Sequence, residues 1–238
     1  MPTYNKNDFK INNEHFSIFL NKKIFKPNFT TKLLIEAAKK IIKKNDKVLD
    51  LGCGAGIIGC YFFKKKIIKY IYGSDISNKA VKCSIFNAKK LTGSFDIRLS
   101  NSLEKWNDKK FDLIINDISG ISSEINSITS WFRFAPNDSG KDGIKFTINI
   151  LKKYKKNILN KGHLIFPVLG LSNRSKLISY LKKQNMKYKI LDKKDWPLPA
   201  SLLKHLQLLK KLKKKKLINY DEKFGILFTT TEIFCCKS

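Results

Sequence analysis

The sequence lacks the long apolar stretches of membrane proteins. Its 238 residues contain no continuous apolar run of membrane-spanning length, and its first ten residues, MPTYNKNDFK, are polar. A transmembrane helix needs about 20 apolar residues, and a secretory signal needs an apolar core of its own. Neither is predicted here, and we expect a soluble protein of the cytoplasm with no membrane partner.

Cysteine and histidine are also too few, and too scattered, for a metal centre. The cysteines form neither a CxxC pair nor a mixed Cys/His ligand spacing, and the three histidines do not cluster with one another or with a nucleophile. This argues against a zinc site, a disulfide framework and a histidine-based triad. We expect reduced, packed thiols and no metal. The five cysteines are Cys53, Cys60, Cys83, Cys235 and Cys236.

Arginine is scarce although the formal net charge is +29. Only Arg98, Arg133 and Arg174 are present, so nearly all of the positive charge comes from lysine. Lysines raise affinity for phosphates without sequence preference, but arginine is favoured where bases or phosphates are recognised through two hydrogen bonds. The abundance of Ile, Asn and Lys is equally typical of an AT-rich genome. Nucleic acid is therefore an alternative partner and not the leading one.

Short apolar runs alternate with longer amphipathic stretches, as in repeated βα units around a parallel sheet. Because no repeat or low-complexity linker divides the chain, we expect one α/β domain with a doubly wound, seven-stranded sheet and helices on both faces. The predicted strands are 47–51, 70–75, 96–100, 111–117, 163–169, 188–191 and 225–234. The predicted helical stretches lie near 30–44, 56–66, 78–91, 141–159 and 173–185.

The last two strands flank a long basic segment, SLLKHLQLLKKLKKKK (201–216). We therefore expect them to form an antiparallel terminal pair and not another βαβ crossover. The leucines of the segment fall near helical spacing with lysines between them, which predicts a basic amphipathic helix. A docked helix with a solvated lysine face is favoured over a surface for RNA or membrane.

The motif VLDLGCGAGIIG (48–59) places a glycine-rich turn between an apolar strand and a helix. Glycines at such a turn permit a tight bend and let a ligand approach the backbone closely. Asp50 just before the turn is unfavourable for a dinucleotide pyrophosphate, which prefers free helix N–H groups. It suits a ligand with an ammonium group, such as a methionine-type tail. A turn whose glycines serve packing alone is the alternative.

Polar residues at the ends of the next two strands extend this pattern. Asp75 closes YIYGSD, 19 residues beyond Gly56, where a carboxylate can accept hydrogen bonds from both ribose hydroxyls. Asn101 and Ser102 follow the third strand and can hydrogen-bond an adenine edge. Together these positions predict S-adenosylmethionine (SAM) as cofactor. The residues expected to bind it are Asp50, Gly52, Cys53, Gly54, Gly56, Asp75, Ile76, Asn101, Ser102 and Asn116.

These motifs resemble those of class I SAM-dependent methyltransferases, and more narrowly the small-domain group that includes the HemK/PrmC glutamine methyltransferases. Residues 23–38 (KIFKPNFTTKLLIEAA) and 140–166 are similar to segments that flank the core motifs of that group. The resemblance implies a Rossmann-like seven-stranded class I methyltransferase sheet. It also implies a SAM-binding methyltransferase domain over 46–238, preceded by a helical segment, 1–45, that covers the cofactor and substrate site.

The fourth predicted strand, FDLIINDISG (111–120), departs from the group at its end. The group has Asn-Pro-Pro-(Tyr/Phe) there, which holds a planar amide or amine nitrogen under an aromatic ring; this chain keeps Asn116 and continues with NDIS in place of NPPY. Asn116 can donate and accept, and Asp117 can take a proton or bind a cationic substrate. Ser119 can orient either one, and these three are the catalytic candidates. A local turn cap is an equal alternative for Asp117.

Aromatic side chains for the substrate are expected from SWFRFAPN (130–137), in the loop after the fourth strand. Loops beyond the carboxyl ends of strands are where α/β sheets bind ligands. The candidate substrate residues are Trp131, Phe132, Arg133 and Phe134, although we expect at least one of the rings to pack into the core. Trp196, in a proline-held loop, is a second candidate.

The sequence thus predicts a SAM-dependent methyltransferase that modifies a nitrogen or oxygen of a protein side chain or small metabolite. An RNA or DNA methyltransferase is the first alternative, favoured by the charge but weakened by the scarcity of arginine. A catalytically silent SAM-binding partner subunit is the second, because the glycine turn argues for cofactor binding only.

Overall fold

The computed structural model describes residues 3–11, 13–118, 120–135 and 138–238. The strands are β1 (Asn5–Ile11), β2 (Glu14–Leu20), β3 (Val48–Leu51), β4 (Ile71–Asp75), β5 (Phe95–Leu99), β6 (Phe111–Asn116), β7 (Ile158–Leu169), β8 (Tyr188–Pro197), β9 (Asp221–Lys223) and β10 (Ile226–Lys237). The helices are α1 (Phe29–Lys39), α2 (Ile57–Lys64), α3 (Asn78–Leu91), α4 (Ser123–Ser127), α5 (Lys145–Lys153), α6 (Arg174–Lys183), α7 (Ala200–Leu203) and α8 (Leu206–Lys214), with a 3₁₀ turn at Tyr154–Asn157.

The central sheet has the order β5-β4-β3-β6-β7-β10-β8. The pairs β5–β4, β4–β3, β3–β6 and β6–β7 are parallel, whereas β10 runs antiparallel to both β7 and β8. The predicted seven-stranded Rossmann-like sheet and its antiparallel terminal pair are confirmed. One short strand that the sequence did not indicate, β9, pairs with the beginning of β10.

Alternate residues of the central strands enter two separate cores, one on each face of the sheet. In β6, Leu113 and Ile115 pack with the buried residues of α1, α2 and α3. Ile114 of the same strand packs with those of α5 and α6 on the opposite face. Phe111 joins this second core as well, because the register of β6 with β7 shifts between Phe111 and Leu113. This alternation follows from the two-residue period of a strand, and it explains why strands buried on both faces appear as continuous apolar runs in the sequence.

The N-terminal segment differs from the expected helix. Of the residues that the structure describes up to 45, Phe29–Lys39 is the helical part, and a hairpin of β1 and β2 precedes it. Phe16, Ile18 and Leu20 are buried at alternate positions, which is the period of a strand and not of a helix. Asn87 of α3 holds the hairpin in place: it accepts from Phe19 N at 2.9 Å and donates to Phe19 O at 2.8 Å.

The basic segment 201–216 is also not one continuous helix. It forms α7 and α8, separated at Lys204 and His205. Leu202, Leu209 and Leu212 are buried while the lysines are exposed, in agreement with a docked helix. None of the helices within the described ranges has the length and apolar character that a membrane span needs.

Candidate active site

A cavity of about 370 Å³ opens at the edge where the parallel strands β3 to β6 end. The register pairs Leu51 with Asn116, and Asp75 with Leu99, so the residues that follow these strands meet there. Open α/β sheets bind ligands at this edge. The predicted cofactor residues that line the cavity are Gly52, Cys53, Gly54, Asp75, Ile76, Asn101 and Ser102.

The glycine-rich turn exposes bare backbone to the cavity at Gly54. Its φ is +53°, and a Cβ built there would meet no described atom within 4 Å. Gly56, with a φ of +80°, faces the protein interior, where a Cβ would overlap Ser84 Oγ of α3. Gly56 therefore permits α2 and α3 to pack closely and does not line the cavity, whereas Gly54 is the place where a ligand can approach the backbone.

Asp75 is held rigidly at the cavity wall by backbone donors. Its Oδ2 accepts from Gly54 N at 2.9 Å and its Oδ1 from Ser77 N at 2.8 Å. Burial raises the pKa of this carboxyl, and the backbone N–H groups partly offset that rise. The strand end and the glycine turn are thereby fixed to each other, with Asp75 and the half-exposed Ile76 beside the open Gly54.

Asp50 lies beneath the turn and not on the cavity surface. It is 2% exposed, and among the described residues neither of its carboxylate oxygens accepts a hydrogen bond of normal geometry. Burial raises the pKa of Asp50 well above its ordinary value; the carboxylates of Asp117 and Asp75 raise it further, and the Gly59 backbone N–H lowers it. Asp50 does not line the cavity, so its predicted direct contact with a ligand ammonium stays a prediction.

The loop after β5 contributes the polar pair predicted there. Asn101 Nδ2 donates to Glu104 Oε1 at 3.1 Å, and both residues line the cavity. Ser102 has a φ of +56°, and its buried Oγ has no hydrogen-bond partner among the described atoms. A hydroxyl in this state is available to a bound molecule.

Asn116 is fully buried at the end of β6 and does not line the cavity. Its Oδ1 accepts from Ile118 N at 3.1 Å, so Asn116 forms the local turn that the sequence had suggested for Asp117. Its Nδ2 has no partner within the described part of the chain. The amide is therefore anchored at its oxygen and unsatisfied at its nitrogen.

Asp117 lines the cavity and contacts a distant segment instead of its own turn. Thr31 Oγ1 of α1 donates to Asp117 Oδ2 at 2.7 Å. Burial raises the pKa of Asp117 to about 7, with the Thr31 hydrogen bond lowering it in part. A carboxyl with such a pKa can accept and release a proton near neutral pH. Ser119, the third predicted catalytic residue, lies outside the described residues.

The aromatic loop divides between the cavity and the core. Phe132 and Phe134 line the cavity, and Phe132 stacks on Phe25 with ring centroids 5.8 Å apart and planes 8° from parallel. Trp131 does not line it; its ring packs edge-on against Trp196 at 6.1 Å. Arg133 lies over the Phe134 ring at 5.6 Å and is likewise not a lining residue. Two of the four predicted substrate residues thus reach the cavity, and Trp196 does not.

Several cavity residues were missed by the sequence reasoning. Four of them lie on one face of α5, at positions i, i+3, i+4 and i+7. The sequence shows this spacing, but it points to the site only when the helix is known to lie beside the cavity. The others come from the N-terminal segment, where Asn28 also caps α1 by accepting from Thr30 N at 2.8 Å. The missed residues include Phe25, Asn28, Thr31, Phe146, Asn149, Ile150 and Lys153.

Comparison with known proteins agrees with this geometry. Residues 13–117 match the family model described as "Methyltransferase small domain". A release factor glutamine methyltransferase of Borreliella burgdorferi is 34% identical over 156 residues, which cover 61% of this chain and 53% of that protein. A ribosomal protein L11 methyltransferase of Thermosipho melanesiensis is 37% identical over 89 residues, covering 37% of this chain and 34% of that protein.

Among solved structures, the T. thermophilus 16S rRNA N2 G1207 methyltransferase in complex with AdoMet and guanosine has a TM-score of 0.60 and 12% identity, covering 99% of this chain and 50% of that one. At this identity the likeness concerns the fold alone. The chain spans about half the length of the first curated relative and about a third of the second. The resemblance to the small-domain group and the fold class are both confirmed.

Proposed function

We propose, because residues 13–117 match the model of the methyltransferase small domain, that this protein is a SAM-dependent methyltransferase. Its acceptor would be a nitrogen or oxygen of a protein side chain or a small metabolite. The observation that carries the proposal is the acidic, glycine-lined cavity at the carboxyl edge of the sheet. Open backbone at Gly54 lies there beside Asp75, Asp117 also lines the cavity, and Asp50 lies below the turn.

Three aspartates at and below the cavity wall favour a cationic cofactor. Asp50, Asp75 and Asp117 all have raised pKa values, with burial as the main cause. Of the lysines that line the cavity, Lys145 pairs with Asp138, and Lys153 lies 3.9 Å from Glu104. SAM carries a sulfonium and an ammonium group, and either would lower the cost of ionising the three aspartates.

The residues present also fit the rest of the cofactor. Asp75 would take the ribose hydroxyls, while Asn101 and the unpartnered Ser102 Oγ would take the adenine edge. SAM, when bound, supplies a methyl group that is already activated for displacement. The protein's part is then to bind, to orient the acceptor and to accept its proton, and such orientation can contribute roughly 7 to 11 kcal/mol.

Asn116 and Asp117 would perform those tasks. The unsatisfied Asn116 Nδ2 would donate to the acceptor after a small movement of the strand end, while its Oδ1 stays fixed by Ile118 N. Asp117 has a pKa of about 7 and accepts a hydrogen bond from Thr31. It would take the proton that an amine or hydroxyl loses as it is methylated. Phe132 and Phe134 would form the apolar wall around the acceptor.

Titration calorimetry tests the cofactor. The wild-type protein should bind SAM, and Asp75→Ala should bind it more weakly, because the ribose acceptor and the brace on Gly54 N are both lost. A matched control is Asp112→Ala, which removes a carboxylate from the opposite end of β6 and should leave SAM affinity unchanged. No heat with SAM in the wild-type protein would refute the proposal.

Incubation with methyl-labelled SAM and fractionated cell extract tests the acceptor. Label in protein or small molecules is the expected outcome. Label in RNA or DNA alone would favour the nucleic-acid alternative, and SAM binding without any labelled product would favour a silent partner subunit.

A further inference from the structure

The connection between β8 and β10 is a small substructure and not a short turn. Two antiparallel neighbours can be joined by two residues, yet residues 198–225 intervene and form α7, α8 and β9. Their buried residues make a third apolar cluster with Ile121 and Ile125, which follow β6. Asn219 N also donates to Gly170 O at 2.6 Å, just beyond β7. The segment therefore lies at the carboxyl edge of the sheet, and its apolar cluster packs against Phe132, which lines the cavity.

The turn between β9 and β10 carries an aromatic residue that folding does not explain. Phe224 and Gly225 join the paired residues Lys223 and Ile226, with φ of +53° and +72°. Two-residue hairpin loops with positive φ strongly favour Asn, Asp or Gly at both positions. Phe224 is also fully exposed. Phenylalanine at this position is unfavourable for two reasons, because its backbone is strained and its apolar ring is exposed to water. Strained backbone positions of this kind concentrate at functional sites.

Helix α8 presents an unpaired basic face in the same segment. Leu209 and Leu212 are buried against the third cluster, while Lys210, Lys211 and Lys214 are exposed on the other side of the helix. None of these three lysines forms an ion pair with any residue that the structure describes. By contrast, Lys213 Nζ donates a hydrogen bond to the backbone oxygen of Tyr220 and lies over the Tyr220 ring.

We propose that the exposed lysine face of α8 (Lys210, Lys211 and Lys214) and the Phe224 turn of the same segment together bind single-stranded nucleic acid. The lysines contact phosphates, and an unstacked base stacks on the ring, which is the combination that single-strand binding uses. A bilayer fits less well, because the apolar face of α8 is already buried in the protein and cannot insert. An acidic protein fits less well, because one ring on a protruding turn cannot make a desolvated interface core.

The inference does not depend on methyl transfer, because binding requires neither SAM nor turnover. It bears on the proposed function by indicating where the enzyme acts: on nucleic acid, or on a protein held beside it. Failure of single-strand binding would leave the SAM experiments unaffected, and the reverse also holds.

Fluorescence anisotropy with a labelled 12-nucleotide oligouridylate, and with the matching oligothymidylate, tests the proposal over a range of salt. Because the whole chain is basic, the control must remove equal charge elsewhere. The test variant changes Lys210, Lys211 and Lys214 to Gln. The control variant changes three exposed lysines near the start of β7 to Gln, namely Lys152, Lys155 and Lys156.

The test variant should reduce the slope of log affinity against log salt by about 2, at roughly 0.7 per phosphate contact. Phe224→Asn should weaken binding by roughly 5- to 150-fold, the range for losing one stacked base. Its stability towards urea should be unchanged or higher, because Asn suits the left-handed turn. Phe224→Tyr should retain binding.

An equal loss in the control variant, or an unchanged affinity in Phe224→Asn, would show that only diffuse charge is involved and would overturn the proposal. Binding of the wild-type protein to phosphatidylglycerol vesicles or polyglutamate, without binding to either oligonucleotide, would also overturn it. Equal affinity for oligouridylate and oligothymidylate would support the proposal, because it would identify the phosphates and the stacked base as the features that are recognised.

Discussion

Replacing Asp117 with Asn should change how the stability of the protein depends on pH. In the wild-type protein, burial raises the pKa of Asp117 to about 7 from an ordinary value of 3.8. Between these two values the folded state binds more protons than the unfolded state does. The contribution of Asp117 to the free energy of unfolding therefore falls as the pH rises from about 4 to about 7, and levels off above that. Asp117→Asn keeps the acceptor for Thr31 Oγ1 but has no proton to lose.

The size of the effect follows from the shift. At 1.36 kcal/mol per pH unit, ionising the buried carboxyl costs at most about 4 kcal/mol. Asp117→Asn should accordingly match the wild-type protein near pH 4 and become more stable as the pH rises, by up to that amount at pH 8. Asp75 has a raised pKa in both proteins. Asp50 has one too, and because the Asp117 carboxylate is one of its causes, Asp117→Asn should also lower the pKa of Asp50, which changes the difference in the same direction.

Urea denaturation between pH 4.5 and 8.5, followed by tryptophan fluorescence, measures this difference. Thr31→Val is a useful second variant, because loss of its hydrogen bond to Asp117 should move the transition to higher pH. Asp138→Asn is the control. Lys145 holds the pKa of Asp138 below its usual range, so the pH-dependent part of its contribution lies below pH 4, and this variant should differ from the wild-type protein by a constant amount across the measured range.

A difference between Asp117→Asn and wild type that does not vary with pH would refute the reasoning. It would mean that the carboxyl is solvated well enough to ionise at its ordinary pKa, and it would also remove Asp117 as a proton acceptor near neutrality. If the reasoning holds, SAM affinity in the wild-type protein should rise as the pH passes through 7, because a cationic ligand favours the ionised carboxyl.

Further outcomes concern the turn and the end of β6. Gly54→Ala should still fold, with a free energy of unfolding about 1 kcal/mol lower because alanine is strained in the left-handed backbone at this position. Its SAM affinity, measured by calorimetry, should fall because the added Cβ would enter the cavity. Gly56→Ala should unfold at distinctly lower urea, and Ser84→Ala in the same chain should recover part of the loss, because Ser84 Oγ is the overlapping atom. Asn116→Ala should lower turnover of labelled SAM by roughly 100-fold or more while SAM affinity is kept. Asn116→Asp keeps the oxygen that accepts from Ile118 N and removes only the Nδ2 donor, so it distinguishes loss of the donor from a disturbed backbone. Unchanged turnover in Asn116→Ala and in Asn116→Asp would exclude a catalytic role.

The sequence by itself determined the sheet and the cofactor turn, because both depend on local pattern. Apolar runs of strand length alternating with amphipathic stretches specify βα units, and all seven predicted strands are present in the expected order along the chain. The glycines of the turn are needed for a backbone that other residues adopt only with strain. Asp75 follows because a strand end places it at the shared edge of the sheet.

Where the sequence reasoning failed, the deciding contacts are long-range. The hairpin before α1 depends on pairing between β1 and β2 and on Asn87, which lies 68 residues from Phe19. No local pattern reveals that Asp117 meets Thr31, 86 residues away, or that Phe25 stacks on Phe132.

Only the tertiary structure decided which polar residues face the cavity. Asn116 and Asp117 are neighbours in sequence, but adjacent residues point in different directions, so one amide is buried in its own turn and the next carboxyl opens into the site. Desolvation by surrounding segments then sets the pKa of Asp117, and desolvation depends on atoms brought together by folding and not on residue type. Sequence chemistry names the groups available to the site, and packing decides their direction and their charge.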